Sequence, residues 1–470
     1  MNFLSSAFII FMIVLLALLC ITKQEETRQI ILLIASYLFY AYADWRFLGI
    51  LLIQTTIAYC TARIIDHNER KGKGTGVTLA IGIVSCIGIL SIFKYSNHVV
   101  PCFIKNNGGG VAKIALPLGI SFYTFQALSY IINIYQKRQP VEKLFVKVAL
   151  YIGFFPQITS GPIVKAHDFF VQLEQMHPMK KQNIIAGAQI FLMGIVKKTV
   201  IADRLGRSVD AVYAAPTAYS GISILLATIA YTMQIYADFS GYSDMAIGVA
   251  KCIGYDLGKN FNMPYIAHNP SEFWRRWHIS LSSWFREYVY FPLGGSRGKL
   301  IKTCRNLFLV MFLSGIWHGT GITFILWGLY HGIGVAAHRV FAEVVNRQRW
   351  QIKSVLGQKI AGGVSILCTL VFVNIGWILF RSDTVDTIGI ILHRIFTRAN
   401  GVEYIYVFTI LFMILFIIVN IYTLIKKQGN AEYIFLDYNK FSSWFILWTV
   451  IFLILVFFYP GEAEFIYGKF

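Results

Sequence analysis

Charged residues are scarce in this chain. They make up 14% of its 470 residues, whereas hydrophobic residues make up 56%. Soluble domains average about 25% charged and about 45–50% apolar residues. The composition therefore excludes an ordinary soluble protein and predicts an all-α, multi-pass protein of the cell membrane.

Motifs for metal binding and for a protein nucleophile are also missing. The seven cysteines form no C-x-x-C pair, so neither a disulfide framework nor a zinc site is predicted. The H-E-x-x-H pattern of zinc peptidases and the G-x-S-x-G turn of serine hydrolases do not occur. The sequence predicts no metal and no bound cofactor.

Long apolar runs fill the chain instead. A helix that crosses the bilayer needs about 20 apolar residues, and by that rule we expect about eleven crossings plus re-entrant segments. The runs lie near residues 3–22, 29–45, 47–65, 76–98, 114–135, 146–166, 184–203, 221–253, 304–319, 321–342, 360–381, 403–425 and 441–460. We predict one membrane domain over residues 1–470. Its polar intramembrane groups concentrate in a core of about 115–340.

The net charge of +19 comes largely from short loops between these runs, such as 68–74 and 136–147. Basic residues gather in cytoplasmic loops of membrane proteins. An outside N-terminus places both loops in the cytoplasm, so the basic charge indicates membrane topology and not nucleic-acid binding.

Two neighbouring segments put polar or helix-breaking residues into apolar runs. In PLGISFYTFQALSYIINIY (117–135), hydroxyl and amide side chains are typical of hydrogen bonding between helices. Gln126 is the best candidate there for lining a cavity. In FFPQITSGPIV (154–164), two prolines and a glycine predict non-helical backbone, which is tolerated at membrane depth only under cover of protein or beside water.

Carboxylates interrupt the apolar run YTMQIYADFSGYSDMAIG (231–248). Asp238 and Asp244 would each cost at least about 2.5 kcal/mol at the bilayer centre. Tyr242 follows Asp238 by one helical turn and would share its face. Either both aspartates cap short helices where the span breaks, or they serve a functional site.

Aromatic residues recur at helical spacing in residues 269–299. This predicts an amphipathic interfacial helix with its aromatic side chains at headgroup depth. His278 lies at the border of the aromatic stripe, and Ser282 lies on the same side. The histidine either reaches the headgroups or takes part in chemistry.

Histidines and glycines alternate in GIWHGTGITFILWGLYHG (315–332). His318 and His331 are 13 residues apart, which is about 20 Å on one helix and not the same face. The run Gly319-Thr320-Gly321 predicts a break that leaves His318 at a helix end. An imidazole there either bonds a neighbouring helix or acts as a general base near neutral pH. As a base it would deprotonate a substrate hydroxyl, which then attacks an activated acyl group.

Several of these segments together resemble the membrane-bound O-acyltransferase family. The resemblance rests on DFSGYSDMAIG (238–248), WRRWHISLS (274–282), YFPLGGSR (290–297), W-H-G…W-G-x-x-H-G (317–332), PLGISFYTFQ (117–126) and FFPQITSGPIV (154–164). The last two are similar to its alginate O-acetyltransferase branch. The resemblance implies tilted helices around a central tunnel.

The resemblance also assigns roles. His318 would be the catalytic base and His278 the second catalytic histidine. The residues that would line or support the tunnel are His331, Asp238, Tyr242, Asp244, Trp317, Ser282 and Gln126. It implies acetyl-CoA as the donor, an extracytoplasmic polysaccharide as the acceptor, and an extracytoplasmic acyltransferase partner protein. The alternatives are D-alanyl transfer to teichoic acid and a non-enzymatic polysaccharide or lipid exporter.

Overall fold

The computed structural model describes residues 1–103, 114–175, 179–348, 354–404, 407–426, 433, 436–458 and 466. Across these ranges the regular structure is helical, apart from one isolated bridge between Tyr219 and Val402. The predicted all-α fold is confirmed. The described residues form two compact units, Met1–Phe191 with Ser243–Gly258, and Leu192–Tyr242 with Lys259–Phe470.

The described residues of the first unit contain eight complete helices. They are α1 (Ser6–Ile21), α2 (Glu25–Asp44), α3 (Leu48–Arg70), α4 (Gly76–Phe103), α5 (Ile120–Tyr135), α6 (Phe145–Gly153), α7 (Phe155–Ile158) and α8 (Ala166–Leu173). Two longer helices are divided between the units, α9 (Lys181–Ile195) and α11 (Gly221–Cys252). A π-helical turn, Val196–Ala202, joins α9 to α10 (Asp203–Ala214).

The second unit contains the remaining helices. They are α12 (Pro270–Arg276), α13 (Ile279–Phe285), α14 (Leu300–His318), α15 (Ile322–Gln348), α16 (Val355–Arg381), α17 (Val385–Phe396), α18 (Val407–Lys426) and α19 (Phe441–Phe457). A second π-helical turn, Arg286–Tyr290, continues α13.

Six helical segments of the described chain are long and apolar enough to cross a membrane. They are Glu25–Arg70, Gly76–Asn97, Lys181–Ala214, Gly221–Cys252, Leu300–His318 and Val355–Arg381. Three shorter apolar helices, Ser6–Ile21, Thr409–Ile425 and Phe441–Phe457, add to them. The multi-pass architecture is thus confirmed, while the central tunnel and the single-domain organisation stay predictions.

The irregular segment predicted in the first unit is present and buried. Phe154 interrupts the helical backbone, and α7 ends in a turn at residues 159–161. Gly119 packs against this segment with a left-handed φ of 71°, and a Cβ atom there would overlap the carbonyl oxygen of Ile158. Protein therefore covers this broken backbone, as membrane depth requires.

Hydrogen bonds between helices account for much of the polar content of α5. Gln54 Nε2 donates to Thr124 Oγ1 at 2.8 Å, and Lys94 Nζ donates to Ser121 Oγ at 3.3 Å. This confirms the interhelical interpretation of segment 117–135 for these two hydroxyls. Gln126 is also fully buried, and within the described residues neither atom of its amide group has a hydrogen-bond partner.

The structure rules out one of the two alternatives for 231–248 and contradicts one prediction about 269–299. The aspartates of 231–248 do not cap short helices, because α11 runs unbroken from Gly221 to Cys252. The aromatic segment 269–299 is not one interfacial helix, because it breaks at Trp277 and His278. Its aromatic stripe is packed inside the protein, as the 1% exposure of Trp277 shows.

Candidate active site

His318 is the last residue of α14, as the Gly-Thr-Gly run predicted. Gly319 leaves the helix in an extended conformation (φ −166°, ψ 173°), and α15 begins at Ile322. The imidazole is 2% exposed. A buried histidine at a helix end, where the backbone turns, can meet a substrate that enters beside the helix.

Glycines allow α14 and α15 to pack backbone against backbone next to this histidine. A Cβ atom on Gly315 would lie 2.5 Å from the Phe324 carbonyl oxygen. One on Gly328 would lie 2.8 Å from the Met311 carbonyl oxygen. Small residues at such crossings let membrane helices approach closely. Gly315 and Gly328, each three residues before a histidine, therefore serve helix packing.

The Trp327 indole lies between His318 and His331. Its ring centroid is 5.0 Å from that of His318, edge to face, and 4.9 Å from that of His331. The two histidines cannot share a helix face, yet the α14–α15 hairpin brings both of them against one indole. Trp274 packs on both Trp327 and His331, with its ring centroid 5.5 Å from that of Trp327 and 5.1 Å from that of His331.

His331 is enclosed by aromatic rings and is 0% exposed. Besides the two tryptophans, Tyr330 and Phe372 meet it edge to face at 5.5 and 5.1 Å. Within the described chain, neither ring nitrogen has a hydrogen-bond partner. Buried polar groups normally find a partner, so this ring is a candidate for contact with a substrate or a water molecule.

His278 lies at the break between α12 and α13. Its backbone is left-handed (φ 43°, ψ 56°), a conformation that costs a non-glycine residue about 1–3 kcal/mol and that clusters at functional sites. The side chain is 1% exposed, and Phe239 packs edge to face on it at 4.7 Å. Its Nδ1 lies 3.0 Å from Asn260 Oδ1.

Aromatic side chains connect the His278 segment with His318. Trp277, next to His278, packs on Trp377 with ring centroids 4.8 Å apart. Trp377 lies 5.7 Å from Phe380, which lies 5.4 Å from His318. Both predicted catalytic histidines therefore border the same aromatic cluster of the second unit.

Asp238 is held in a buried ion cluster. Lys198 Nζ lies 2.7 Å from Asp238 Oδ1 and 2.8 Å from Asp203 Oδ1. The Ile466 backbone N–H donates to Asp238 Oδ2 at 2.9 Å. Lys198 stands on the π-helical turn, a feature that is frequent at functional sites. The cation and the N–H group explain how a carboxylate is accommodated in an apolar helix.

The other predicted support residues are distributed between the two units. In the second unit, Trp317 is buried and packs on His318 at 4.9 Å, and half-buried Tyr242 follows Asp238 by one turn of α11. Ser282 Oγ donates to the Trp277 carbonyl at 3.3 Å. Gln126 and Asp244 are buried in the first unit. Their roles in a tunnel stay predictions.

The YFPLGGSR segment folds into a compact loop that Asn306 holds. The Asn306 Nδ2 group donates to the carbonyl oxygens of Leu293 and Gly295, each at 3.1 Å. Gly294 and Gly295 both have a positive φ, which a turn this tight requires. The arrangement fixes the start of the basic stretch 297–302.

Sequence reasoning did not identify Asn260 or Lys198 as site residues. Asn260 lies 18 residues before His278 in an irregular segment, so no helical or strand period connects them. Lys198 is one lysine among many basic residues of an apolar chain. A carboxylate within the same apolar region as a lysine was the one available signal for the Lys198–Asp238 pair.

Comparison with known proteins agrees with these motifs. The sequence model of the membrane-bound O-acyltransferase (MBOAT) family matches residues 137–375. The probable alginate O-acetylase AlgI of Pseudomonas aeruginosa is 37% identical over 374 residues, 77% of this chain and 68% of that protein. The chain belongs to the membrane-bound O-acyltransferase family. As an MBOAT member, it is a multi-pass membrane enzyme that transfers acyl groups to oxygen.

Two further relatives are named for different activities. The peptidoglycan O-acetyltransferase of Helicobacter pylori is 33% identical over 393 residues, 78% of this chain and 73% of that protein. The teichoic acid D-alanyltransferase of Bacillus subtilis is 32% identical over 247 residues, covering 50% of this chain and 61% of that protein. The O-acetylating relatives therefore match over more of the chain.

Proposed function

We propose that this enzyme moves an acetyl group from cytosolic acetyl-CoA for O-acetylation of an extracytoplasmic polysaccharide, with His318 as the general base. The observation that carries the proposal is the position of His318, buried at the end of α14 beside Trp327. The similarity to enzymes named for alginate and peptidoglycan O-acetylation supports the acetyl group and the class of acceptor.

The chemistry needs one base and one acceptor hydroxyl. The His318 imidazole takes the hydroxyl proton while the oxygen attacks the carbonyl carbon of the thioester. The tetrahedral intermediate collapses with cleavage of the C–S bond. The imidazolium returns the proton to the departing thiolate, so that an O-acetyl ester and free CoA result and His318 is regenerated.

The first acceptor hydroxyl belongs, in this proposal, to an extracytoplasmic acyltransferase partner protein. That partner would then transfer the acetyl group to the polymer outside the membrane. His278 would act as the second catalytic histidine at the same aromatic cluster. In this proposal the enzyme interacts with the polysaccharide acceptor, the partner protein and the bilayer.

D-alanyl transfer is the second candidate function. The D-alanyltransferase relative matches a shorter stretch of this chain than the O-acetylating relatives do. Transfer of D-alanine would use the same base and the same ester chemistry with a different acyl donor. The identity of the transferred acid therefore separates the two functions.

The test identifies the acid bound to cell-surface polymers. The chain is expressed with its genomic neighbours, extracted polymers are treated with mild base, and the released acid is compared with that from a strain lacking the chain. Acetate that depends on the chain is the expected result. Alanine would transfer the assignment to teichoic acid, and no difference in any acid would overturn the proposed acetylation of surface polymers.

A further inference from the structure

Asn260 contacts the His278 segment through both its backbone and its side chain. Its carbonyl oxygen accepts the Ile279 N–H at 2.8 Å, which ties the irregular segment to the first turn of α13. Its side-chain Oδ1 lies 3.0 Å from His278 Nδ1 and is buried with it. Asn260 therefore fixes the backbone next to His278 and also contacts the imidazole ring.

A serine shares the same oxygen. Ser280 Oγ donates to Asn260 Oδ1 at 2.9 Å, and it lies 3.4 Å from His278 Nδ1. An amide oxygen is only an acceptor, so the ring nitrogen that faces it must carry a proton. In a neutral imidazole the other nitrogen, Nε2, then carries the lone pair.

We propose that Asn260 is a positioning residue that holds His278 in its Nδ1–H tautomer, so that Nε2 is the nitrogen able to accept a proton. Ser280 supports this by orienting the Asn260 amide with its own hydrogen bond. The inference rests on the proposed function, because it requires a chemical role for His278. It extends that function to a residue whose side chain acts only through the histidine.

An amide suits a histidine that must begin neutral. Segment 259–299, which carries His278, lies between the helical spans, and burial lowers the pKa of His278 to about 3. A carboxylate at position 260 would instead stabilise the imidazolium. Two charged residues close in sequence to Phe239 and His278 are already paired. Asp238 pairs with Lys198, and Arg276 pairs with Glu272 at 2.8 Å.

The test compares Asn260→Asp with Asn260→Leu. Aspartate keeps an acceptor oxygen at nearly the same shape, whereas leucine removes it. Inverted membrane vesicles containing the enzyme and its acceptor system receive radiolabelled acetyl-CoA, and base-labile label on the polymer is followed from pH 4 to 9. Abundance and monodispersity in detergent establish that each variant folds.

We expect Asn260→Asp to retain transfer at pH 8 to within about threefold of the wild type. An adjacent carboxylate raises a histidine pKa by about 1–3 units, from about 3 to about 4–6, so its activity should fall at least about twofold from pH 8 to pH 4. The wild type should not show this fall. Asn260→Leu should lose transfer at least about tenfold through kcat with little change in KM, as expected when a base loses the partner that orients it. Ser280→Ala should cause a smaller loss.

Asn374→Asp is the matched control. Asn374 lies on α16 and bonds Thr228 and Thr232, so this change adds a carboxylate in the same unit without facing His278. Its pH profile should follow the wild type. The inference is overturned if folded Asn260→Asp and Asn260→Leu lose equal activity, or if the Asn260→Asp pH profile superimposes on the wild type.

His278→Ala separates this failure from that of the proposed function. If His278→Ala transfers acetate like the wild type, the catalytic role of His278 is wrong and the inference falls with it. If His278→Ala is inactive while both Asn260 variants behave like the wild type, the positioning role alone is wrong.

Discussion

The His331 imidazole lies against the bare backbone of Gly376. A Cβ atom built on Gly376 would overlap His331 Nε2 and would stand 3.2 Å from Cε1 and 3.4 Å from Cδ2. The imidazole cannot simply move aside, because Trp327, Tyr330 and Phe372 surround it. The absence of a side chain at position 376 is therefore part of how α15 and α16 pack.

Gly376→Ala should disturb this packing. Overpacking of a buried site typically costs about 1–3 kcal/mol, so we expect a lower thermal midpoint in detergent together with reduced acyl transfer. Gly363→Ala on the same helix is the control, because an added Cβ atom there meets no atom within 4 Å. Equal thermal midpoints for the two variants would contradict the close contact.

Gly328→Ala should separate α14 from α15 and move His318. The new methyl group would meet the Met311 carbonyl oxygen and the Gly315 Cα at 2.8 and 3.1 Å, which are backbone atoms that cannot rotate away. We expect a loss of transfer activity larger than that of Gly389→Ala, since a Cβ atom on Gly389 is unopposed. Activity of both variants at the wild-type level would show that the crossing tolerates separation.

Lys198→Met should destabilise the second unit. Removing the cation leaves Asp238, which is 1% exposed, as an uncompensated buried charge, and such changes cost about 3–5 kcal/mol. Adding Asp238→Leu should restore part of the thermal midpoint. Arg339→Met, which breaks an exposed pair with Glu343, should cost at most about 1 kcal/mol. No recovery in the double variant would argue against a direct coupling.

His331→Ala should reduce transfer less than His318→Ala or His278→Ala does. His331 borders the aromatic cluster but is assigned no proton-transfer step, so its loss leaves the base in place while creating a cavity. Initial rates of polymer acetylation, normalised to enzyme abundance, give the order of the three variants. A His331→Ala variant as inactive as His318→Ala would require a catalytic role for His331.

Local sequence signals identified the features that depend on local backbone chemistry. The Gly319-Thr320-Gly321 run placed His318 at a helix end, and the prolines of 154–164 marked a real break. The aromatic periodicity of 269–299 gave a wrong prediction, because two seven-residue helices on either side of a kink keep nearly the same apolar spacing as one continuous helix. The extended backbone of Trp277 and the left-handed backbone of His278 distinguish them.

Contacts between distant parts of the chain could not be predicted from the sequence. The hydrogen bond from His278 to Asn260 spans 18 residues with no periodic relation. The contact of His331 with Gly376 joins two helices whose register depends on their whole packed surfaces. The sequence therefore singled out the histidines for which a catalytic role is proposed, while the residues that contact them could be identified only from the fold.

Polymer-bound acetate in cells that express His318→Ala tests the central claim most directly. His393→Ala is the matched control, because His393 is an exposed histidine on α17. Base-released acetate is measured alongside membrane abundance for both variants and the wild type. The account predicts no chain-dependent acetate with His318→Ala and a wild-type amount with His393→Ala. Wild-type acetate from a normally abundant His318→Ala enzyme would contradict the assignment of His318 as the base.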